Sequence, residues 1–397
     1  MKNRILLSLL LLFPTFAAAQ SHLISIPFGS VGAATAQVDR TSNNANLWHV
    51  YGFVPKESKT INEACIYVQT KSGTLGASDY SMGIYLSTSL GKPTSVQATS
   101  TTVSPAFANT TLSCFTGFSF AATAGRQYWF VVKNLNGTPA SNNITIRVPG
   151  GGRTNQMYGG SQGTNPYTGF AYLETSDGGT NWNNVTSNGG SNIRIKYSDN
   201  TYDGFAVSYP IAAADQGTGP RVYSAREVGN LFTTPANFTA KLKCISFPLA
   251  RIGSPTGNLR YRIYQGTTLV DTTNDTAEVA TFGVQDAAYP LCFNTAVQLA
   301  GSTAYRIVVA EGTQSNTSSN AYVAMSWIVD SSTPSQNLKP FNGTMQRTVC
   351  TSSCNGGTWT ETSTEWFGMA LFLDFGNEFG SSGGGLKNLN TLSGGTQ

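Results

Sequence analysis

The sequence predicts an all-β protein, built as two antiparallel β-sandwiches in tandem and related by internal duplication. Three observations predict it. Short β-branched and aromatic runs alternate with turn residues, with no long 3.6-residue periodicity. Only 11% of residues are charged, against about 25% in an average soluble domain, and Gly, Ser, Thr and Asn fill the difference. Finally, AGRQYWFVVKN (Ala124–Asn134) returns in altered form as AGSTAYRIVVAEG (Ala300–Gly312). Each copy is a small-residue turn feeding an apolar strand.

The first residues have the layout of a secretory signal. Lys2 and Arg4 precede an apolar run, Ile5–Phe13, and Ala17, Ala18 and Ala19 form a small-residue cleavage site. We therefore expect residues 1–19 to be a signal peptide and the protein to be secreted, periplasmic or on the cell surface. The run is too short for a span, which needs about 20 apolar residues, and no later segment is long enough. The net charge of +4 is spread out, so no basic face points to nucleic acid.

The first sandwich is expected over 20–200. An arm or edge strand leads it, followed by strands at Leu47–Pro55, Ala64–Thr70, Met82–Thr88, Leu112–Phe120, the Ala124 run, Ile144–Gly150, Gly169–Thr175 and Asn192–Asp199. Residues 201–222 carry the Gly, Pro and Asp of a linker. The second sandwich, 223–377, repeats the order at Glu227–Pro235, Leu242–Phe247, Tyr261–Thr267, Leu291–Leu299 and Gly368–Phe375. Residues 378–397 read as a flexible Gly-rich tail. The duplication keeps its register: Cys65 answers Cys244 and Tyr85 answers Tyr264 (both shifted by 179), while Tyr128 answers Tyr305 and Trp182 answers Trp359 (both shifted by 177). A period this long means tandem domains rather than a solenoid of roughly 20–50-residue repeats.

The six cysteines form an even set, as in exported disulfide-bonded proteins. Equivalence in the repeat pairs Cys65 with Cys114 and Cys244 with Cys292, and leaves Cys350 and Cys354 as a local bridge. Zinc is not expected, because no CxxC pair exists and the only histidines are His22 and His49. Catalysis is not expected either. Nothing resembles GxSxG, and the acidic pairs Glu174/Asp177 and Asp199/Asp203 fall on turns, where Asp caps the backbone. Asp199 and Asp203 are weak candidates for calcium, the one cofactor considered. The loop Arg153–Tyr172 interleaves Tyr158, Tyr167, Phe170 and Tyr172 with Gly, Asn and Gln. Such aromatic faces stack on sugar rings while amides bond hydroxyls. These four are the candidate ligand-binding residues.

Thr175–Trp182, TSDGGTNW, resembles the Asp-box through Thr175, Asp177, Gly179 and Trp182, with Asn181 in place of the usual Thr. SCNGGTW (Ser353–Trp359) is a degenerate copy with Asn355 in the Asp slot. Sialidases and many exported β proteins carry such boxes away from their active sites, so the resemblance implies a hairpin rather than hydrolysis. The pattern as a whole resembles tandem jelly-roll or lectin-like sandwiches of surface proteins. AREVGNLFTTP (Ala225–Pro235) and KPFNGT (Lys339–Thr344) are similar to segments of uncharacterised structural proteins of tailed phages. The resemblance implies display on a particle or cell surface and transfers no catalytic residue. The expected function is a non-catalytic exported protein that binds surface glycans or another exposed polymer. A structural subunit of a virion, fibre or surface layer, able to self-assemble, is the alternative. A glycoside hydrolase comes third.

Overall fold

A computed structural model describes residues 24–28, 37–88, 92–149, 172–184, 191–204, 221–282, 287–311, 321–325, 327–329, 345–363, 365–367 and 369–376. Strands make up most of these residues, turns and irregular segments connect them, and one 3-10 turn occurs at Val279–Thr281. No helix among them is long and apolar enough to cross a membrane. The strands of the first half, with a leading β1, are β1 Ile24–Phe28, β2 Gln37–Thr41, β3 Trp48–Phe53, β4 Lys59–Ser72, β5 Tyr80–Ser87, β6 Pro93–Ser100 and β7 Thr102–Ser104. They continue as β8 Thr111–Ala122, β9 Tyr128–Asn134, β10 Asn143–Pro149, β11 Tyr172–Thr175, β12 Asn183–Asn184, β13 Ile193–Tyr197 and β14 Tyr202–Gly204. The second half has β15 Arg221–Val222, β16 Glu227–Thr233, β17 Ala240–Gly253, β18 Asn258–Gln265, β19 Thr268–Thr272, β20 Ala277–Glu278 and β21 Ala287–Leu299. It ends with β22 Ala304–Glu311, β23 Ala321–Met325, β24 Trp327–Val329, β25 Gln346–Cys350, β26 Thr360–Thr362, β27 Glu365–Phe367 and β28 Met369–Asp374.

Four larger antiparallel sheets result. In the first half one sheet runs β12-β11-β3-β9-β5-β6 and the other β14-β13-β4-β10-β2, with β8 on the opposite flank of β4. In the second half the orders are β26-β25-β16-β22-β18-β19 and β1-β28-β17-β23-β15, with β21 flanking β17. The main strand orders of the two pairs correspond, apart from β7 on β8 and β20 on β18, and each long central strand, β4 or β17, shifts register just before its cysteine. β24 and β27 form a small separate sheet.

Period-2 patterning explains the layers. On β3, β5 and β9, Tyr51, Phe53, Met82, Ile84, Phe130 and Val132 face the main core. Val50, Tyr85, Trp129 and Val131 on the same strands form a second cluster on the outer face. The sheet is thus buried on both sides, which is why its strands read as almost continuous apolar runs. The main core is continuous between the halves. Gly125 (φ +74°) lies so close to Phe375 that a Cβ would meet the ring at 2.1 Å, so the first half's turn seats the end of the second.

All three expected disulfides are present: Cys65–Cys114, Cys244–Cys292 and Cys350–Cys354. The first two staple directly opposed residues of adjacent strands. Bridges of this kind persist in oxidising compartments. The ends of the expected linker 201–222 carry β14 and β15, both at sheet edges. The expected leading arm or edge strand contains β1, which pairs with β28 of the second half's sheet. The signal, residues 205–220 and the tail lie outside the described residues.

Candidate functional site

Of the four candidate ligand residues, Tyr158, Tyr167 and Phe170 lie outside the described residues. Tyr172 departs from expectation. It opens β11, opposite Tyr51 on β3, and is only 2% exposed. Its ring meets Tyr51 edge-on at 5.4 Å and lies beside the His49 ring at 6.1 Å. No free face remains for a sugar. Alternation along β11 turns it inward, whatever its loop-like neighbours suggest.

Tyr172 belongs to a buried polar cluster that composition did not signal. Its hydroxyl bonds His49 Nδ1 and donates to Glu174 Oε1 at 2.8 Å. His49 and Glu174 are directly opposed across β3 and β11. Arg40 Nε, from β2 in the facing sheet, comes within 3.5 Å of the same carboxylate. Burial pushes the Glu174 carboxyl up, but His49, Tyr172 and Arg40 together outweigh it and hold the group below its ordinary value. Burial, seconded by the Glu174 charge, raises the Tyr172 phenol well above its own. In the second half the corresponding opposed pair on β16 and β25 is Val228 and Val349. The cluster is therefore polar where the second half's matching pair is apolar. An imidazole, a phenol and a carboxylate in line resemble acid/base machinery, but the far nitrogen, His49 Nε2, is buried with no hydrogen-bond partner. The arrangement ties the two sheets together.

The Asp-box residues form a closed hairpin between β11 and β12. Thr175 Oγ1 meets Asp177 Oδ1 at 2.6 Å and accepts from Gly179 N at 3.1 Å. Asp177 accepts the amides of Thr180 at 3.0 Å and Asn181 at 2.9 Å. Asn181 Nδ2 adds a bond of 2.7 Å, so the unusual Asn takes part. Gly179 (φ +93°) lies against Trp48, where a Cβ would come within 2.5 Å of the ring. Trp182 packs on Trp48 at 6.1 Å, and Lys133 Nζ covers the Trp48 ring at 3.7 Å. In the second half Trp359 meets Tyr264 at 5.1 Å under Arg306. There Asn355 accepts from Leu269 N at 2.9 Å, reaching across to β19.

Bonds from the Asn181 amide, then from Thr175 and the Asn181 side chain, lower the Asp177 carboxyl to about 2. A depressed carboxylate contributes stability that is present above its unfolded pKa, about 3.9, and is lost as pH falls through its folded value. We expect Trp182 fluorescence to hold down to pH 3.5 and to change as the pH nears 2. Asp177→Asn should abolish that transition, which an acid titration of both proteins will read.

The calcium candidates are otherwise engaged. Asp199 Oδ1 accepts from Thr201 Oγ1 at 2.6 Å, and Oδ2 pairs with Lys59 at 2.9 Å. Asp203 points inward and is buried with Lys56. It pairs with the ammonium, accepts the Lys56 amide at 3.2 Å and the Tyr197 hydroxyl at 3.1 Å. Both carboxylates are thus paired with lysines. Among the described residues one cluster has metal-ligand spacing, Glu63 with Cys65 and Cys114, and its sulfurs are spent in a disulfide. Compared with known proteins, the chain matches no family model and no curated sequence.

Proposed function

We propose that this chain is an exported, non-catalytic structural protein of a surface layer, fibre or particle, and that its two β units arose by duplication. One observation carries the reading: the reactive groups singled out from the sequence are spent on joining strands. His49 and Glu174 join β3 to β11, Asp203 ties β14 to Lys56, and the six cysteines form three bridges. The matched strand orders support the duplication. Light scattering and electron microscopy of purified protein should show a regular high-mass assembly. A protein that stays monomeric from micromolar to millimolar concentration would overturn the reading.

Glycan binding is the second reading, favoured by the aromatic and amide residues of the Arg153–Tyr172 loop. With Tyr172 buried, it rests on Tyr158, Tyr167 and Phe170. Defined hits on a glycan array, lost in a Tyr158→Ala/Tyr167→Ala variant, would establish it, and a silent array would remove it.

A further inference from the structure

The two long bridges have sequence separations of 49 and 48, so loop closure stabilises both alike. Their surroundings differ. Ala64 and Ile66 belong to the main core, and alternation puts Cys65, between them, on the outer face of its sheet. Arg194 stands directly opposite Cys65 on β13. Its Nη2 comes within 3.3 Å of Cys65 Sγ and 3.8 Å of Cys114 Sγ. Glu63 Oε1 lies 3.3 Å from Cys65 Sγ and 3.6 Å from Arg194 Nη2. The guanidinium also sits over the Tyr202 ring at 4.9 Å, a contact that fixes its position. In the second half Phe372 takes the place of Arg194, opposite Cys244 on β28. Asp275 there accepts the Cys292 amide at 3.0 Å. Among the described residues, Glu63 is the one acid that clusters with both sulfurs of a bridge.

A disulfide carries no proton, so the Glu63 carboxylate and the Cys65 sulfur face each other without one. Reduction supplies it. A Cys65 thiol donates to Glu63, and a thiolate at either cysteine accepts from Arg194. Hydrogen bonds to ionised groups are about twice as strong as neutral ones. The Glu63 bond exists only in the reduced form, and the Arg194 bond is strongest there. Going beyond the structural reading above, we propose that Cys65–Cys114 is a thiol–disulfide exchange site that a dithiol reduces selectively, while Cys244–Cys292 is a permanent staple. A thiolate of the dithiol attacks Cys114 Sγ and forms a mixed disulfide there. The Cys65–Cys114 bond breaks, and its electron pair leaves on Cys65 Sγ, the sulfur closer to Arg194. The second thiolate of the dithiol then attacks its own half of the mixed bond and releases Cys114. The dithiol ends as a disulfide, and the two protons that it gave up pass to the cysteines. The protein gains two electrons, and the first half alone loses its long staple.

The full-length oxidised protein tests this in native buffer. It is brought to equilibrium with dithiothreitol at a series of reduced-to-oxidised ratios, alkylated and mapped by peptide mass spectrometry. Cys65–Cys114 should be half reduced at a ratio about tenfold lower than Cys244–Cys292 needs, the effect of one charge-assisted hydrogen bond. Exposure would give the opposite order, because Cys114 is buried and Cys292 is half-buried. Arg194→Met and Glu63→Met should each raise the Cys65–Cys114 midpoint towards that of the second bridge. The Cys244–Cys292 midpoint should stay in place and so reports that the variant is folded. Should a variant fail to fold, the order of the two bridges in the unaltered chain still decides. Bridges that titrate together, or Cys244–Cys292 opening first, would overturn the proposal. So would folded variants in which the Cys65–Cys114 midpoint does not move.

Discussion

Asp203→Ala is expected to destabilise the protein by about 3–5 kcal/mol, the cost of leaving a buried charge without its partner. Lys56 and Asp203 are 5% and 6% exposed, so water cannot replace the carboxylate. Burial already holds the Lys56 ammonium down to about 7, against a smaller opposing push from Glu57. A lysine whose folded value lies below its unfolded one gains stability as pH rises between the two, because the unfolded chain binds the extra proton. The deficit of Asp203→Ala should therefore be larger at pH 6 than at pH 9. Urea denaturation at both values will read it. Lys56→Met/Asp203→Ala should recover most of the loss, since an apolar replacement removes the orphaned charge. A double variant as unstable as the single would show that the loss comes from β14 packing rather than from charge.

Cys65→Ala/Cys114→Ala should cost about 4 kcal/mol and Cys350→Ala/Cys354→Ala about 2, on the chain-entropy account of loop closure. The difference follows from sequence separations of 49 and 4. Cys244→Ala/Cys292→Ala, with a separation of 48, should match the first. Denaturant midpoints of the three variants test the ordering, and equal losses would contradict it.

The strands that were legible in the sequence are those buried on both faces, such as YWFVVKN, where an apolar run stands out against Gly, Ser and Thr. The disulfide pairs were legible because the spacing of Cys65 and Cys114 returns almost unchanged at Cys244 and Cys292. β6, PTSVQATS, was not, since its burial pattern is largely exposed and an exposed edge needs no apolar signature. β14 was hidden because Tyr-Asp-Gly is also turn chemistry. The bond of Tyr172 to His49, 123 residues away, was not legible, because a pairing that distant leaves no local signature. The same holds for β1 and β28. The leading segment reads as an arm or edge strand, and nothing in ISIPF says which sheet it completes.

The cross-strand staples on β4 and β17 bear on how the chain answers a pull. Tension along the backbone passes through the sulfur bridge and skips the loop it encloses. Each of the two long loops withholds roughly 160–175 Å of contour, taking about 3.3–3.6 Å per residue over separations of 49 and 48. An oxidised molecule would yield far less length before rupture than a reduced one, so its extensibility is set by two covalent bonds rather than by the sheets around them.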